Sequence, residues 1–231
     1  TVDLQKAFDI IDHNILLKKL KYIGLSDDAT NWIESYLRNR ITFVEIEGYM
    51  SSERHIKCGV PQGSILGPLL FLIYVNDMSQ SVNCGLLLYA DDSCLIVTHK
   101  DVNYIEKTLN TNLSSLCDWL VDNKLSIHLG KTESILFGTR NKLAKVNQLN
   151  IHYGDHVIEQ KQSVTYLGVT LDNILSGKSM VEGILSKINS KLRFLYRKQK
   201  FLSKDIRRLL CNSLIQPHYD FACCSWYPLL T

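Results

Sequence analysis

The feature that most constrains the fold is a pair of adjacent aspartates between two short apolar segments. Asp91 and Asp92 separate the apolar runs 86–89 and 94–97. Two such runs joined by a short polar turn predict a β-hairpin. Neighbouring carboxylates repel each other and are costly to bury without a cation. The sequence therefore predicts either an ordinary solvated Asp-Asp turn or a hairpin tip that holds divalent cations.

A cation-binding hairpin of this kind also needs a carboxylate from another strand. Two carboxylates at a hairpin tip suit the paired Mg²⁺ ions that act in phosphoryl transfer, and a third carboxylate completes such a site. Asp3, at the end of a short strand that begins at Val2, is the best candidate, because a strand beside the hairpin brings it to the same edge. The alternative for Asp3 is a surface position at a strand end. Asp9 and Asp12 compete with it, but their positions suit a turn and a helix cap better.

The rest of the chain mixes helical and extended patterns without regular βαβ units, which predicts an α+β fold with a mainly antiparallel sheet. Helices are expected near 13–22, 29–37, 64–78 and 101–123, with a basic helix after residue 178 and a last helix over 203–216. Their predicted N-caps are Asp12, Ser26 or Asp27, and Ser64. Further strands are expected near 41–46, 54–58, 133–137 and 163–171.

Composition excludes several other classes of protein. A chain of 231 residues with 45% hydrophobic residues is neither collagen nor low-complexity disorder. The 7 cysteines are odd in number and scattered, so they predict neither a disulfide framework nor a zinc site, and a reducing intracellular setting is expected. No apolar run reaches the length of a membrane span, and the N-terminus lacks a signal peptide and an initiator Met. The chain is predicted to be a piece of a longer protein.

Positive charge is concentrated near the C-terminus. Residues 178–208 contain ten basic and two acidic side chains, so this segment carries +8 and the remainder −5. Its apolar residues recur at helical spacing, which predicts an amphipathic helix with a basic outer face. One interpretation is a solvated helix face. The other is a surface that follows a phosphate backbone, for which positive charge on one lobe is required.

Five segments, taken together and in this order, resemble motifs A to E of reverse transcriptases. They are Asp3-Leu4-Gln5-Lys6-Ala7-Phe8-Asp9, Gly59-Val60-Pro61-Gln62-Gly63-Ser64-Ile65-Leu66-Gly67-Pro68, Tyr89-Ala90-Asp91-Asp92, Gly130-Lys131-Thr132-Glu133 and Tyr166-Leu167-Gly168. The likeness is strongest to the non-LTR retrotransposon, jockey- or CR1-like, branch, and the segments 12–17 and 32–37 support it. One motif alone is weak evidence, whereas five with this order and spacing are specific.

The resemblance implies a site for two Mg²⁺ ions, which Mn²⁺ can replace. Asp3 and Asp91 are expected to bind both ions, Asp92 to support the second carboxylate position, and the carbonyl of Leu4 to complete one coordination shell. Lys131 is expected near the triphosphate, where it protonates the leaving pyrophosphate. The alternative for Lys131 is an ordinary lysine in a turn before a strand.

The resemblance also implies where the substrates lie. Phe8 is expected beneath the sugar of the incoming nucleotide, where its ring excludes a 2′-hydroxyl and selects deoxynucleotides. An aromatic residue at such a position is more often part of a core. Gln62, Gly63 and Tyr89 are expected to contact the nucleotide or the template, and the small glycine permits close backbone approach.

The implied architecture is a polymerase palm with an antiparallel sheet flanked by helices, followed by a helical thumb. Residues 1–160 are expected to form the palm, and residues 161–231 the primer-grip hairpin and the thumb. The thumb's basic face is expected to hold the primer–template backbone. The residues expected there are Lys191, Arg193, Arg197 and Lys198.

The implied partners are an RNA template, a DNA primer and deoxynucleoside triphosphates, in a nuclear or cytoplasmic ribonucleoprotein without a membrane. The chain starts at motif A, so the fingers are expected to be missing, together with the endonuclease region of a parent polyprotein. His128 stands where relatives commonly carry Asn. We expect a complete carboxylate site that is not a competent polymerase by itself.

Two other functions remain open from sequence. An RNA-dependent RNA polymerase is disfavoured, because such enzymes usually carry Asp at the position of Phe8 and Gly at that of Ala90. A truncated, inactive retroelement remnant that binds nucleic acid is the main alternative. The presence of all three carboxylates argues against a remnant that has accumulated mutations for a long time.

Overall fold

The computed structural model describes residues 1–146 and 148–230, and the chain divides into two compact units. Unit 1 comprises Thr1–Thr132 and Leu149–Ile158. Unit 2 comprises Glu133–Gln148 and Glu159–Thr231. The main elements of the fold follow in chain order.

The α-helices are α1 (His13–Tyr22), α2 (Asp27–Leu37), α3 (Leu66–Val75), α4 (Val102–Asp122), α5 (Arg140–Leu143), α6 (Lys178–Lys198), α7 (Lys204–Leu214), α8 (Gln216–Asp220) and α9 (Cys223–Trp226). Short 3₁₀ helices span Asn76–Ser81, Leu129–Lys131, Gln199–Phe201 and Tyr227–Leu230.

The strands are β1 (Val2–Asp3), β2 (Ile41–Thr42), β3 (Glu45–Ile46), β4 (Tyr49–Met50), β5 (Arg54–His55), β6 (Gly85–Tyr89), β7 (Asp92–Ile96), β8 (Glu133–Ser134), β9 (His152–Tyr153), β10 (His156–Val157), β11 (Glu159–Gln160), β12 (Ser163–Tyr166) and β13 (Val169–Asp172). They form a three-stranded sheet in the order β1-β7-β6 and five two-stranded pairs. Among these described strands only β8 and β11 pair in parallel. The prediction of helices combined with small, mainly antiparallel sheets is confirmed.

Helix starts follow local capping rules. The carboxylate of Asp12 accepts hydrogen bonds from the backbone of Asn14 and Ile15, at 2.9 and 3.0 Å, and so caps α1. The hydroxyl of Ser26 accepts from the backbone of Ala29 at the start of α2. Ser64 accepts from the backbone of Gly67, so it satisfies the first turn of α3 although the helix itself begins at Leu66.

The core of unit 1 forms where α1 packs on α3. Leu16 and Leu20 on α1, and Phe71 and Tyr74 on α3, are completely buried. Burying each such side chain contributes about 1.5–3 kcal/mol. The Tyr74 hydroxyl donates to the carbonyl of Asn123 at 2.6 Å, which satisfies a polar group inside the core and ties α3 to the end of α4.

Unit 2 has its own apolar cluster. Met180, Ile184 and Ile188 lie on one face of α6 and pack with Trp226, and Val169 of β13 packs against the cluster. β12 and β13 form a tight hairpin in which Tyr166 pairs with Val169 across a two-residue turn. The C-terminal helices and this hairpin therefore share one buried core.

The predicted last helix over 203–216 is shorter than expected. α7 ends at Leu214, and a new helix, α8, begins at Gln216 with Pro217 in its first turn. Proline cannot donate a backbone hydrogen bond to the preceding turn, so the chain restarts rather than continues. Among the described residues, no helix is long and apolar enough to cross a membrane.

Candidate active site

The three-stranded sheet of unit 1 brings two distant carboxylates together. β1 and β7 are antiparallel, and their register places Asp3 directly opposite Asp92. Side chains of directly opposed residues share one face of a sheet, with Cβ atoms about 4.5–5.5 Å apart. The hydroxyl of Ser93 donates to the carbonyl of Val2 at 2.9 Å and is buried, so it fastens the two strands beside the carboxylates.

Asp91 lies in the turn of the predicted hairpin. β6 and β7 pair up to Tyr89 and Asp92, which leaves Ala90 and Asp91 as a two-residue turn. Ala90 has a φ of 52°, a left-handed conformation that such short turns require. Because Tyr89 is opposite Asp92, and Asp92 is opposite Asp3, these three side chains share one face of the sheet. The exposed ring of Tyr89 therefore stands beside the carboxylates.

Asp3, Asp91 and Asp92 form a carboxylate cluster whose surroundings disfavour the ionised form of Asp92. Burial raises the pKa of Asp92, and the charges of Asp91 and Asp3 raise it further, while Lys131 opposes them. The ammonium of Lys131 lies 3.7 Å from Asp3 Oδ2, but its side chain is 66% exposed, so this ion pair is weak. The cluster thus holds more negative charge than its neighbours compensate.

The segment just before motif D supports the strand that carries Asp3. The backbone of His128 donates to the carbonyl of Asp3, and that of Gln5 donates to Ser126, each at 2.8 Å. Carbonyls alternate sides along a strand, so the Leu4 carbonyl lies on the same side as that of Val2, towards the hairpin. Within the described part of the chain, His128 Nδ1 is buried and has no hydrogen-bond partner.

The predicted metal ligands do not form a preassembled group. Among residues 1–146 and 148–230, no three His, Cys, Asp or Glu side chains are close enough together to hold a metal ion. The chemistry of the cluster nevertheless fits a cation, because hard oxygen ligands are concentrated there and the pKa of Asp92 is raised by burial and by its acidic neighbours. A bound divalent cation relieves that repulsion.

The turn before α3 is fixed against the segment after β1. Gly59 donates to the carbonyl of Ile11, and Val60 donates to that of Phe8, at 2.8 and 2.9 Å. A Cβ on Gly59 would lie 2.6 Å from the backbone oxygen of Asp9, and its φ is 85°, so only glycine fits there. Gln62 also donates to Asp9, at 2.8 Å. Sequence reasoning missed this role of Asp9, whose only signal was its position four residues before α1.

Phe8 is half-buried against α3. Its ring stacks on Phe71 with the ring centroids 4.4 Å apart and an interplanar angle of 23°. Gln62 and Gly63 are exposed in the neighbouring turn, and the position where a Cβ of Gly63 would stand is open. The fold thus fixes Phe8 from one side. The turn that carries Gln62 is hydrogen-bonded to residues 8–11, the segment that also carries Phe8.

The predicted primer–template residues lie on α6 in unit 2 and differ in their surroundings. Arg193, Arg197 and Lys198 are exposed, and the two arginines line a groove along the helix with Tyr196. Lys191 is half-buried instead. It donates to the carbonyl of Leu214 at 2.9 Å and to His218 Nε2 at 2.5 Å, so its charge serves packing within unit 2.

Motif E forms the turn of the β12–β13 hairpin. Leu167 and Gly168 both have positive φ, of 48° and 80°, as expected of a two-residue hairpin turn. A Cβ on Gly168 would lie 2.9 Å from the ring of Phe221, so the C-terminal segment packs directly on the turn. No signal in the sequence pointed to Phe221.

The described elements form a fold of mixed helix and sheet that carries the five motifs in order. The family profile described as reverse transcriptase (RNA-dependent DNA polymerase) matches residues 1–171, and the chain belongs to this family. The prediction of a reverse transcriptase of the non-LTR, jockey-like branch is confirmed by this match together with the relatives below.

The similar proteins come from mobile elements. The RNA-directed DNA polymerase from mobile element jockey of Drosophila melanogaster is 28% identical over 83% of this chain and 21% of the relative. Its counterpart from Drosophila funebris is 29% identical over 96% of this chain and 25% of the relative. The probable RNA-directed DNA polymerase from transposon BS of Drosophila melanogaster is 31% identical over 76% and 20%. The chain thus spans about a fifth to a quarter of the length of these relatives.

Proposed function

We propose that this chain is the carboxylate-bearing segment of a non-LTR retrotransposon reverse transcriptase. In this function a primer 3′-hydroxyl attacks a deoxynucleoside triphosphate on an RNA template, and pyrophosphate leaves. The observation that carries the proposal is the register that sets Asp3 opposite Asp92, with Asp91 in the adjoining turn. Because the chain spans only part of its relatives, the complete reaction belongs to a longer polyprotein.

The proposed cofactor is a pair of Mg²⁺ ions, for which Mn²⁺ can substitute. Asp3, Asp91, Asp92 and the carbonyl of Leu4 would hold them. Bound divalent ions lower the pKa of an attacking hydroxyl and stabilise the leaving oxygen. The raised pKa of Asp92, caused by burial and acidic neighbours, supports this role because an added cation would offset the same repulsion.

The other side chains of unit 1 would position the substrates. Lys131 would donate a proton to the leaving pyrophosphate, and its exposed ammonium near Asp3 is free to swing towards it. Tyr89, Gln62 and Gly63 would contact the nucleotide or the template. Phe8, held by Phe71, would present its exposed part to the sugar as a steric gate.

We further propose that residues 1–160 act as the palm and residues 161–231 as the primer grip and thumb. Arg193, Arg197 and Lys198 would contact the phosphate backbone of the primer–template duplex, and Lys191 would support the helix that presents them. The partners would be an RNA template and a DNA primer in a nuclear or cytoplasmic ribonucleoprotein.

Mn²⁺ binding, titrated by electron paramagnetic resonance, tests the carboxylate site. The unaltered chain is compared with Asp3→Asn and Asp91→Asn, and with Asp122→Asn on the exposed end of α4 as a control of equal charge change. We expect the two site variants to lose binding by at least about tenfold and the control to match the unaltered chain. A loss of binding in both variants would show that the distant carboxylates act as one site.

The alternative is an inactive remnant that only binds nucleic acid. The observation that favours it is that no preassembled metal group exists among the described residues. If a folded chain binds no Mn²⁺ above the level of the two variants, the polymerase function is rejected for this chain and the remnant is accepted. Circular dichroism of each sample separates failure to bind from failure to fold.

The proposed steric gate makes a separate prediction. In a fusion that supplies the fingers of a jockey relative, Phe8→Val is expected to raise ribonucleotide incorporation relative to deoxynucleotide by at least about tenfold, a loss of discrimination of about 1.4 kcal/mol. Primer extension with competing nucleotides measures the ratio. Leu72→Val, an exposed position on α3, is the control. Unchanged discrimination in Phe8→Val would leave this residue with a packing role only.

A further inference from the structure

An exposed row of aromatic and cationic side chains runs along α2 and beyond its end. Trp32 is 60% exposed and lies one helical turn before Tyr36; their ring centroids are 6.4 Å apart and their planes differ by only 13°. The guanidinium of Arg40 lies 5.7 Å from the centre of the Tyr36 ring. The chain thus presents an indole, a phenol and a guanidinium in sequence, and the functions assigned above use none of them.

A second arginine extends this row onto the hairpin that follows. Ile56 donates to the carbonyl of Arg40 at 2.9 Å, and Thr42 pairs with Arg54 between β2 and β5. Side chains alternate along a strand and directly opposed residues share a face. Arg40, Thr42 and Arg54 therefore project from the same face of the hairpin. Arg54 is exposed, so its charge is available to solvent.

The two arginines of this row keep their charges available, since among the ion pairs of the described residues none involves Arg40 or Arg54. Glu34 on α2 pairs with Arg38 at 2.7 Å, so its charge is already balanced. Asp28 lies one turn before Trp32 and is exposed. Glu53 is exposed next to Arg54 in the chain and offsets part of the positive charge at that end of the row.

We propose that Trp32, Tyr36, Arg40 and Arg54 form a binding surface for an unpaired nucleic acid strand. Bases would stack on the two aromatic rings, and phosphates would bind the two guanidinium groups. Flat rings followed by cations are what a flexible strand with alternating bases and phosphates requires. An apolar protein surface would leave the guanidinium groups of Arg40 and Arg54 without polar partners. The proposal rests on the function proposed above, since a polymerase that copies RNA works on unpaired template.

Fluorescence anisotropy with labelled 12-nucleotide oligouridylate and oligothymidylate tests this surface, in EDTA so that metal binding plays no part. We expect Trp32→Ala to weaken binding by at least about fivefold, the loss of one stacked base. Arg40→Gln is expected to weaken it several-fold and to flatten the logarithmic salt dependence by about 0.7, the value for one phosphate contact on a single strand. The two oligonucleotides show whether RNA or DNA is preferred.

Matched controls come from α1. Tyr22→Ala removes an aromatic side chain that is 92% exposed, and Lys18→Gln removes an exposed cation. Neither belongs to the row, so both variants are expected to bind like the unaltered chain. A fully paired duplex provides the second control. Its affinity should survive Trp32→Ala, because paired bases are not free to stack on the indole.

Photocrosslinking gives a direct readout. An oligouridylate with 5-bromouridine is irradiated on the unaltered chain, and peptides are mapped by mass spectrometry; crosslinks are expected at Trp32 or Tyr36. The proposal is overturned if the folded chain does not bind the oligonucleotides, if Trp32→Ala and Arg40→Gln bind as tightly as the unaltered chain, or if crosslinks fall only outside the row. Because these assays contain no metal, their failure is distinct from failure of the carboxylate site.

Discussion

Two hairpins of this protein each carry an aspartate in their second strand, and the two carboxylates have opposite surroundings. Burial raises the pKa of Asp92 at the start of β7, and the charges of Asp91 and Asp3 raise it further. Burial also acts to raise the pKa of Asp172 at the end of β13, but hydrogen bonds from Ser176 and Ile174 lower it overall. Both hairpins close with a two-residue turn, but Asp92 lies beside its turn and Asp172 at the open end of its hairpin. Neighbouring charges and hydrogen-bond donors therefore decide whether each carboxylate is stabilised.

The difference distinguishes a carboxylate that stabilises the fold from one whose charge is not balanced by its neighbours. Asp172 accepts from the backbone of Ser176 at 2.8 Å and from its hydroxyl at 2.9 Å, which closes the loop between β13 and α6. Asp92 instead faces another anion across the sheet. A carboxylate that is destabilised by its own fold is typical of functional sites, although structural networks produce such shifts too.

The largest effect is expected from Asp172→Asn. The amide nitrogen cannot accept the hydrogen bonds that one carboxylate oxygen now receives, so the free energy of unfolding should fall by about 2 kcal/mol at pH 7. Because the pKa of Asp172 is lowered, its contribution is present above the unfolded value of 3.8 and is lost as the pH falls through the lower folded pKa. Urea unfolding at pH 7 and at the lowest pH where the chain folds measures both.

Asp155→Asn is the control for this substitution, since Asp155 lies exposed in the turn between β9 and β10. It should change the free energy of unfolding by less than about 0.5 kcal/mol. Equal losses in Asp155→Asn and Asp172→Asn would contradict the structural role of the Asp172 hydrogen bonds.

An effect of similar size is expected at the turn of the same hairpin. In Gly168→Ala the new methyl group would meet the Phe221 ring at 2.9 Å, and the left-handed backbone, with φ of 80°, adds strain. Together these are expected to lower the free energy of unfolding by about 2 kcal/mol, less if the ring rotates away. Thermal unfolding followed by circular dichroism measures the loss.

Gly48 provides the matched control, because it occupies the second position of the β3–β4 turn with a φ of 84° and has no atom within 4 Å of the added Cβ. Gly48→Ala should therefore show only the backbone strain of about 1 kcal/mol. The double variant Gly168→Ala with Phe221→Leu should recover part of the loss. If Gly168→Ala costs no more than Gly48→Ala, the contact with Phe221 does not constrain the turn.

Local features of the fold were predictable from sequence because they depend on residues close together in the chain. The caps Asp12 and Ser26 and the hairpin around Asp91 follow from capping and turn preferences, and the structure contains all three. The predicted last helix ended at Gln216, just before Pro217, but the new helix that begins at Gln216 was not predicted. Proline favours a helix start as well as a helix end, and sequence alone does not separate the two.

Features that depend on contacts between distant residues could not be predicted from the sequence. Asp3 was expected near the hairpin, but which carboxylate it opposes depends on strand register, and a shift of one residue would exchange Asp92 for its neighbour. In the sequence Lys191 looks like its basic neighbours on α6, but in the fold it donates hydrogen bonds to Leu214 and His218. Both outcomes depend on segments separated by many residues, which local patterns do not encode.

The smallest effect, and the one with opposite sign, is expected from Asp92→Asn. Because the folded pKa of Asp92 is raised, the folded state binds its proton more tightly, and stability falls as the pH rises from 3.8 through that raised pKa. Removing the charge should therefore increase the free energy of unfolding by about 0.5 kcal/mol at pH 7, the size of a like-charge pair across strands. Near pH 3 the gain should vanish. Urea unfolding in EDTA measures both.

The same substitution should reverse its effect when a divalent cation is present. Ligands that bind only the folded state stabilise it, so Mn²⁺ should raise the unfolding midpoint of the unaltered chain and leave that of Asp92→Asn unchanged. A gain that is equal at pH 3 and pH 7 would instead reflect better packing of the amide. A gain at pH 7 together with loss of the Mn²⁺ effect would mean that this hairpin gives up stability for an anionic site, whereas the β12–β13 hairpin uses its carboxylate to hold the fold.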